Sequence, residues 1–200
     1  MSSGIRSLAL RAPLSLAFCC FSLVVLAVAI AVPAAVPYLV LFPENVTERG
    51  YVWVLLAYAV LPGSILHLVV VSLVVLRLGW YIEPVFGRAR YLVLLIGGAL
   101  GAGIAYVLSQ PAYPLVGGLF VASAVVAAFV FWSVPNRGKF GVRLTVFWAL
   151  VVMWVVYTVW ASPLQFAAVH MVSWGVGALV AFSSVQREQP MPNNTMEPTR

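Results

Sequence analysis

Apolar residues run in long blocks along this chain, interrupted by charges, prolines and turn residues. Six blocks result: Leu14–Val32, Ser64–Trp80, Tyr91–Ser109, Leu115–Trp132, Val142–Trp160 and Pro163–Phe182. Each approaches the ~20 residues that a helix needs to cross a bilayer. The pattern predicts an all-α polytopic membrane protein with six transmembrane helices. Between the first two blocks lies Pro33–Gly63, with Pro37, Pro43, Glu44, Glu48, Arg49 and Pro62. Its second half, Tyr51–Leu61, is apolar but too short to span before Pro62-Gly63 breaks it, so it predicts an interfacial or partly buried loop helix. The expected organisation is a cytoplasmic N-terminus (1–13), a membrane domain (14–184) with a long first external loop (33–63), and a cytoplasmic tail (185–200). The polar, proline-bearing stretch Pro190–Arg200 predicts that this tail is disordered.

Composition agrees. Of 200 residues, 64% are hydrophobic and 8% charged, with a mean hydropathy of +1.06. No soluble domain of this size needs so much apolar surface. A net charge of +6 would suggest nucleic acid were it not for where the charges fall. Arg6 and Arg11 precede the first block, and Arg77, Arg88 and Arg90 flank the turn between the second and third. Arg137, Lys139 and Arg143 fill the turn between the fourth and fifth, and Arg187 and Arg200 follow the sixth. Only Arg49 of the 11 basic residues falls on the other side. This is the positive-inside pattern of six spans with both termini cytoplasmic, Glu44–Arg49 and Gln110–Tyr113 lying outside. The expected setting is a multi-pass protein of a bacterial cytoplasmic membrane, with the bilayer and no nucleic acid as partner. The first block is longer than the apolar core of a secretory signal and reads as a retained span. Cys19 and Cys20 are adjacent within it, lack ligating company, and read as apolar filler.

Small residues are concentrated where spans must approach. Gly97 and Gly101 lie four apart, and Ser173, Gly175, Gly177 and Ala178 line the sixth block, which predicts close helix packing. Ionisable residues are scarce: Arg77 and Glu83 are read at or beyond the cytoplasmic end of the second span. Ion-coupled transporters and channels need intramembrane charge, so that class is disfavoured. The polar residues that remain inside are His67, early in the second block, and His170, early in the sixth. A single histidine in a span is usually a packing residue, whereas two at similar depth suggest a shared polar pocket. No cofactor and no metal site are expected.

The stretch from Trp53 to His67 and Val71 resembles the segment of rhomboid proteases that begins Trp-Arg and ends in His-x-x-x-Asn. Gly79, Glu83, Gly87, Arg90 and Tyr91 follow in an order very like that family's "Gly … Glu … Leu-Gly-x-x-Arg-Phe" junction. A glycine-rich third span and Val116-Gly117-Gly118 come next, then His170, Ser173 and Gly177 in a run like Ala-His-x-x-Gly-x-x-x-Gly. The match covers Tyr51 to Phe182. The resemblance implies a six-helix rhomboid-like bundle in which a serine opening the fourth span and a histidine in the sixth form a dyad, and donors including the second-span His and Asn hold the oxyanion.

Carried over by position, the base is His170 and the second-span histidine is His67. The asparagine position is Val71, which offers no donor. The serine position is Leu119 or Phe120, depending on which glycine starts the frame, and the following glycine becomes Phe120 or Val121. Val54 stands where the arginine would be, and Pro62 where a further histidine often is. The nucleophile is therefore missing, and the reading leans against an enzyme. Ser123 lies one helical turn deeper on the same side, about 5–6 Å below the expected height. A serine inside a helix ordinarily bonds its own backbone carbonyl. The leading expectation is a pseudoprotease that binds transmembrane helices of client proteins without cutting them. The alternatives are an active protease with a displaced Ser123–His170 dyad and a structural subunit of a membrane complex. In the family, substrate helices are thought to enter between the second and fifth spans, which implies Val70 and Trp154 as binding residues. The fifth block is rich in aromatics: Phe147, Trp148, Trp154, Tyr157 and Trp160.

Overall fold

The computed structural model describes residues 11–111, 113–136, 143–161 and 166–185. Most of the expected N-terminal segment and nearly all of the tail lie outside the described residues, as do Arg6, Arg137, Lys139, Arg187 and Arg200. Numbered in chain order, the six long helices are α1 (Pro13–Ala31), α2 (Ile65–Phe86), α3 (Arg88–Ser109), α4 (Leu119–Ser133), α5 (Arg143–Ala161) and α6 (Ala167–Val185). Among the described residues there is no strand, only an isolated antiparallel bridge between Leu41 and Leu115.

By length and composition, four of these helices can cross a membrane: α1, α2, α3 and Ala167–Ser184 of α6. The apolar stretches Leu119–Ser133 and Trp148–Trp160 are shorter. For α4 the reason is local. The fourth block was expected to begin at Leu115, but Leu115 pairs with Leu41 and Gly117 takes φ +95°, so the helix starts only at Leu119. Fifteen residues rise about 22 Å, less than the ~30 Å hydrocarbon core. Its environment makes up the difference. Every residue from Leu119 to Phe129 is buried, so α4 is the axis around which the other helices pack, with protein rather than lipid on all sides. The closest approach is to α6, where a side chain at Gly177 would overlap the Ala124 carbonyl and the Ala127 methyl. Gly97 and Gly101 of α3 lie closely but less tightly against Val176 and Val172 of α6, while Gly175 faces open space. The outer faces carry a girdle of exposed apolar side chains, including Leu23, Ile30, Leu66, Val69, Val156, Met171 and Leu179. Such a surface belongs in lipid, and the protein is an integral membrane protein.

The first loop is built of short turns: a 3₁₀ turn at Pro33–Tyr38 and helices at Pro43–Thr47 and Val54–Ala57, the last running into a 3₁₀ turn at Tyr58–Val60. The expected loop helix is thus present and half inside the bundle, with Val54, Tyr58, Ala59 and Leu61 buried. The Tyr58 hydroxyl donates to the Ala99 carbonyl of α3 at 2.8 Å, and burial pushes its pKa far above the ordinary phenol range. It therefore acts as a neutral donor. Asn45 stitches the earlier turns, donating to the Pro37 and Val40 carbonyls.

One expectation about charge is corrected. Arg77 and Glu83 both lie within α2, which runs on through Pro84 to Phe86, and Glu83 is 1% exposed. A buried carboxyl needs partners. Its oxygens accept from the Leu14 and Ser15 backbone N–H groups (2.9 and 3.1 Å) and from the Ser15 hydroxyl (2.9 Å). Ser15 is in turn bonded to the Tyr91 hydroxyl at 2.8 Å. One side chain of α2 thereby satisfies the unpaired N-terminal donors of α1 and ties both helices to α3.

Candidate functional site

Two turns bring the expected residues together. Ser64 caps α2, its hydroxyl accepting from the His67 backbone N–H at 3.1 Å, which fixes His67 in the first turn of that helix. The left-handed turn at Gly117 lays backbone against the imidazole, so any side chain at that position would overlap the His67 ring. His67 Nε2 is buried there without a hydrogen-bond partner. Beside it is a cavity of about 180 Å³ lined by His67, Pro114, Leu115, Val116, Leu119, Phe120, Tyr157 and Phe166.

His170, in the first turn of α6, does not line that cavity. Phe120 does, and its ring packs on the His170 imidazole with 4.5 Å between centroids. The cavity thus touches His67 directly and meets His170 through the Phe120 ring. Phe120, 1% exposed, stands between the cavity and the base. Both candidate nucleophile positions, Leu119 and Phe120, hold buried apolar side chains, and so does Val71 at 4% exposure.

One turn below, Ser123 departs from the expected self-bonding. Its Oγ lies 3.1 Å from His170 Nδ1, within hydrogen-bond reach, and accepts from the indole Nε1 of Trp154 at 3.2 Å. With the ring proton on Nε2, the hydroxyl donates to Nδ1 while accepting from the indole, and all three groups are satisfied. In isolation this is a serine paired to a base, the arrangement that nucleophilic catalysis needs. Its surroundings oppose that use: Ser123 and Trp154 are both 0% exposed, and neither lines the cavity at His67. Val70 is half-buried on α2. Tyr157 and Phe166 also wall the cavity; the first carries no signal in the sequence beyond the aromatic richness of the fifth block, and the second, in the sixth, carries none. No group of three or more histidine, cysteine or acidic side chains that could hold a metal occurs among the described residues.

No curated protein matches the chain. Residues 49–187 match the Rhomboid domain, a span that takes in α2 to α6 and both histidines. The protein belongs to the rhomboid family of membrane proteins.

Proposed function

We propose that this rhomboid-like protein binds transmembrane segments of other membrane proteins without cleaving them, in a six-span domain with both termini cytoplasmic. The observation that carries the reading is Phe120. Its ring occupies the position where a nucleophile would face the cavity, and it packs on the imidazole that would activate one. Val71 supplies no oxyanion donor, and the apolar side chains between cavity and base leave no polar seat for a water. Binding needs none of these groups. It needs an apolar surface and a cavity with an unused polar atom: Tyr157 and His67 Nε2 meet at the cavity, and Val70 follows His67 by about one turn of α2. Photocrosslinkers at Val70 and Tyr157 are expected to trap partner membrane proteins that one at Leu23, exposed on α1, does not. Equal capture at all three positions would leave only a structural role in a larger complex.

The 3.1 Å Ser123–His170 contact supports a second reading, an active protease with a displaced dyad. It requires Phe120 and Trp154 to move aside together. Cleavage of a transmembrane reporter that is lost in both Ser123→Ala and His170→Ala would establish it in place of the first.

A further inference from the structure

At the end of the bundle where α1 begins, α2 ends and α3 begins, Arg11, Glu83, Pro84, Gly87 and Arg88 line a cavity of about 500 Å³. Two of the five are arginines, and both are exposed. No described carboxylate pairs with either guanidinium. Glu83, the acid among the five, is 1% exposed and has its oxygens taken by Leu14 N, Ser15 N and Ser15 Oγ. Arg11 is held at the rim, its guanidinium 5.3 Å from the centre of the Trp80 ring. Arg88 is the first residue of α3, whose capping residue Gly87 contributes no side-chain acceptor, so the positive end of that helix dipole adds to the two charges. Arg77 of α2, which is exposed, and Arg90 of α3, which is half-buried, do not line the cavity.

We propose that this cavity is a binding site for a phosphate-bearing anion, clamped between the Arg11 and Arg88 guanidinium groups. The chemistry suits a phosphodiester: guanidinium forks match phosphate oxygens, and the volume lies within the range of small-ligand sites. Two sources share it, the headgroup of an anionic phospholipid and a soluble phosphate ester. The site borders the lipid-facing ends of α1 and α2, which favours the lipid. An anion here draws α1 to the α2–α3 turn, reinforcing the junction that Glu83 makes from inside.

The test is native mass spectrometry of the full chain, released from mixed phosphatidylglycerol and phosphatidylcholine membranes, with and without glycerol 3-phosphate. The expected result is retention of phosphatidylglycerol over phosphatidylcholine, lowered at least tenfold in Arg11→Gln/Arg88→Gln and kept in Arg77→Gln/Arg90→Gln. Displacement of the lipid by millimolar glycerol 3-phosphate would support the same site with a soluble ester as ligand. Equal losses in the two double variants would overturn the proposal, because attraction would then be diffuse charge rather than a site. So would retention unchanged in Arg11→Gln/Arg88→Gln. Melting of each variant in pure phosphatidylcholine checks that the fold survives, since that lipid carries no net charge for the arginines to recognise.

Discussion

At position 120, one of the two that could answer to the family's nucleophile, stands a benzyl ring whose centre lies 4.5 Å from that of the His170 imidazole. Replacing it by serine restores an oxygen but not the rest of the machinery. Leu119 still fills the neighbouring space, Val121 stands where a glycine would give room, and Val71 still donates nothing. Loss of one oxyanion donor costs about 10²–10³ in rate where it has been measured. We therefore expect neither Phe120→Ser nor Leu119→Ser to cleave a transmembrane reporter above background. Robust cleavage by either single variant would mean that the pocket is far better preserved than its side chains indicate. That His67 and His170 each open a long helix, and that positions 119 and 120 hold apolar side chains, was legible in the sequence, because block boundaries and residue identities are local. The state of Ser123 was not. Its bond to Trp154 joins residues 31 apart, and no local pattern records which distant donor a buried hydroxyl will meet.

The helices differ in how firmly they are held. Among the described side chains of α5, Val151 and Trp154 are the buried ones, while Val152, Val156, Val159 and Trp160 are mostly exposed. The Trp154–Ser123–His170 chain of hydrogen bonds is thus a main fastening of α5 to the α4–α6 pair. A double-mutant cycle of Trp154→Phe and Ser123→Ala should give a coupling of about 0.5–1.5 kcal/mol in thermal or steric-trap unfolding. Additive effects would mean that the contact contributes nothing beyond packing. At the other end of the bundle, Glu83→Ala strands the Leu14 and Ser15 backbone N–H groups, while the Ser15 hydroxyl keeps its bond to Tyr91. A buried unpaired donor costs about 1–3 kcal/mol, so this variant should lose far more stability than Arg77→Gln, which removes only an exposed charge. Helix positions were legible because each apolar block exceeds the surrounding polarity. The onset of α4 and the continuation of α2 through Pro84 were not. The first depends on a bridge to Leu41 and the second on a carboxyl satisfied by another helix, and both are contacts between segments far apart in sequence.

Taken whole, the molecule places its apolar side chains outward and its small residues between helices, as a lipid solvent requires. Its family was legible from motif order and spacing, and residues 49–187 bear that out. The proposed six-span topology rests on the alternation of basic residues along the sequence. Reporter fusions after Arg187 should read as cytoplasmic and those within 44–49 as external; the opposite assignment would overturn the proposed topology. The central claim is that the fold survives while its chemistry does not. The most direct measurement is covalent labelling of the purified, membrane-reconstituted protein by a fluorophosphonate, read by intact mass beside Ser123→Ala. A buried Ser123 under Phe120 and Trp154 predicts no adduct on either protein. A single adduct on the native chain that disappears in Ser123→Ala would contradict the account and make this a working serine hydrolase.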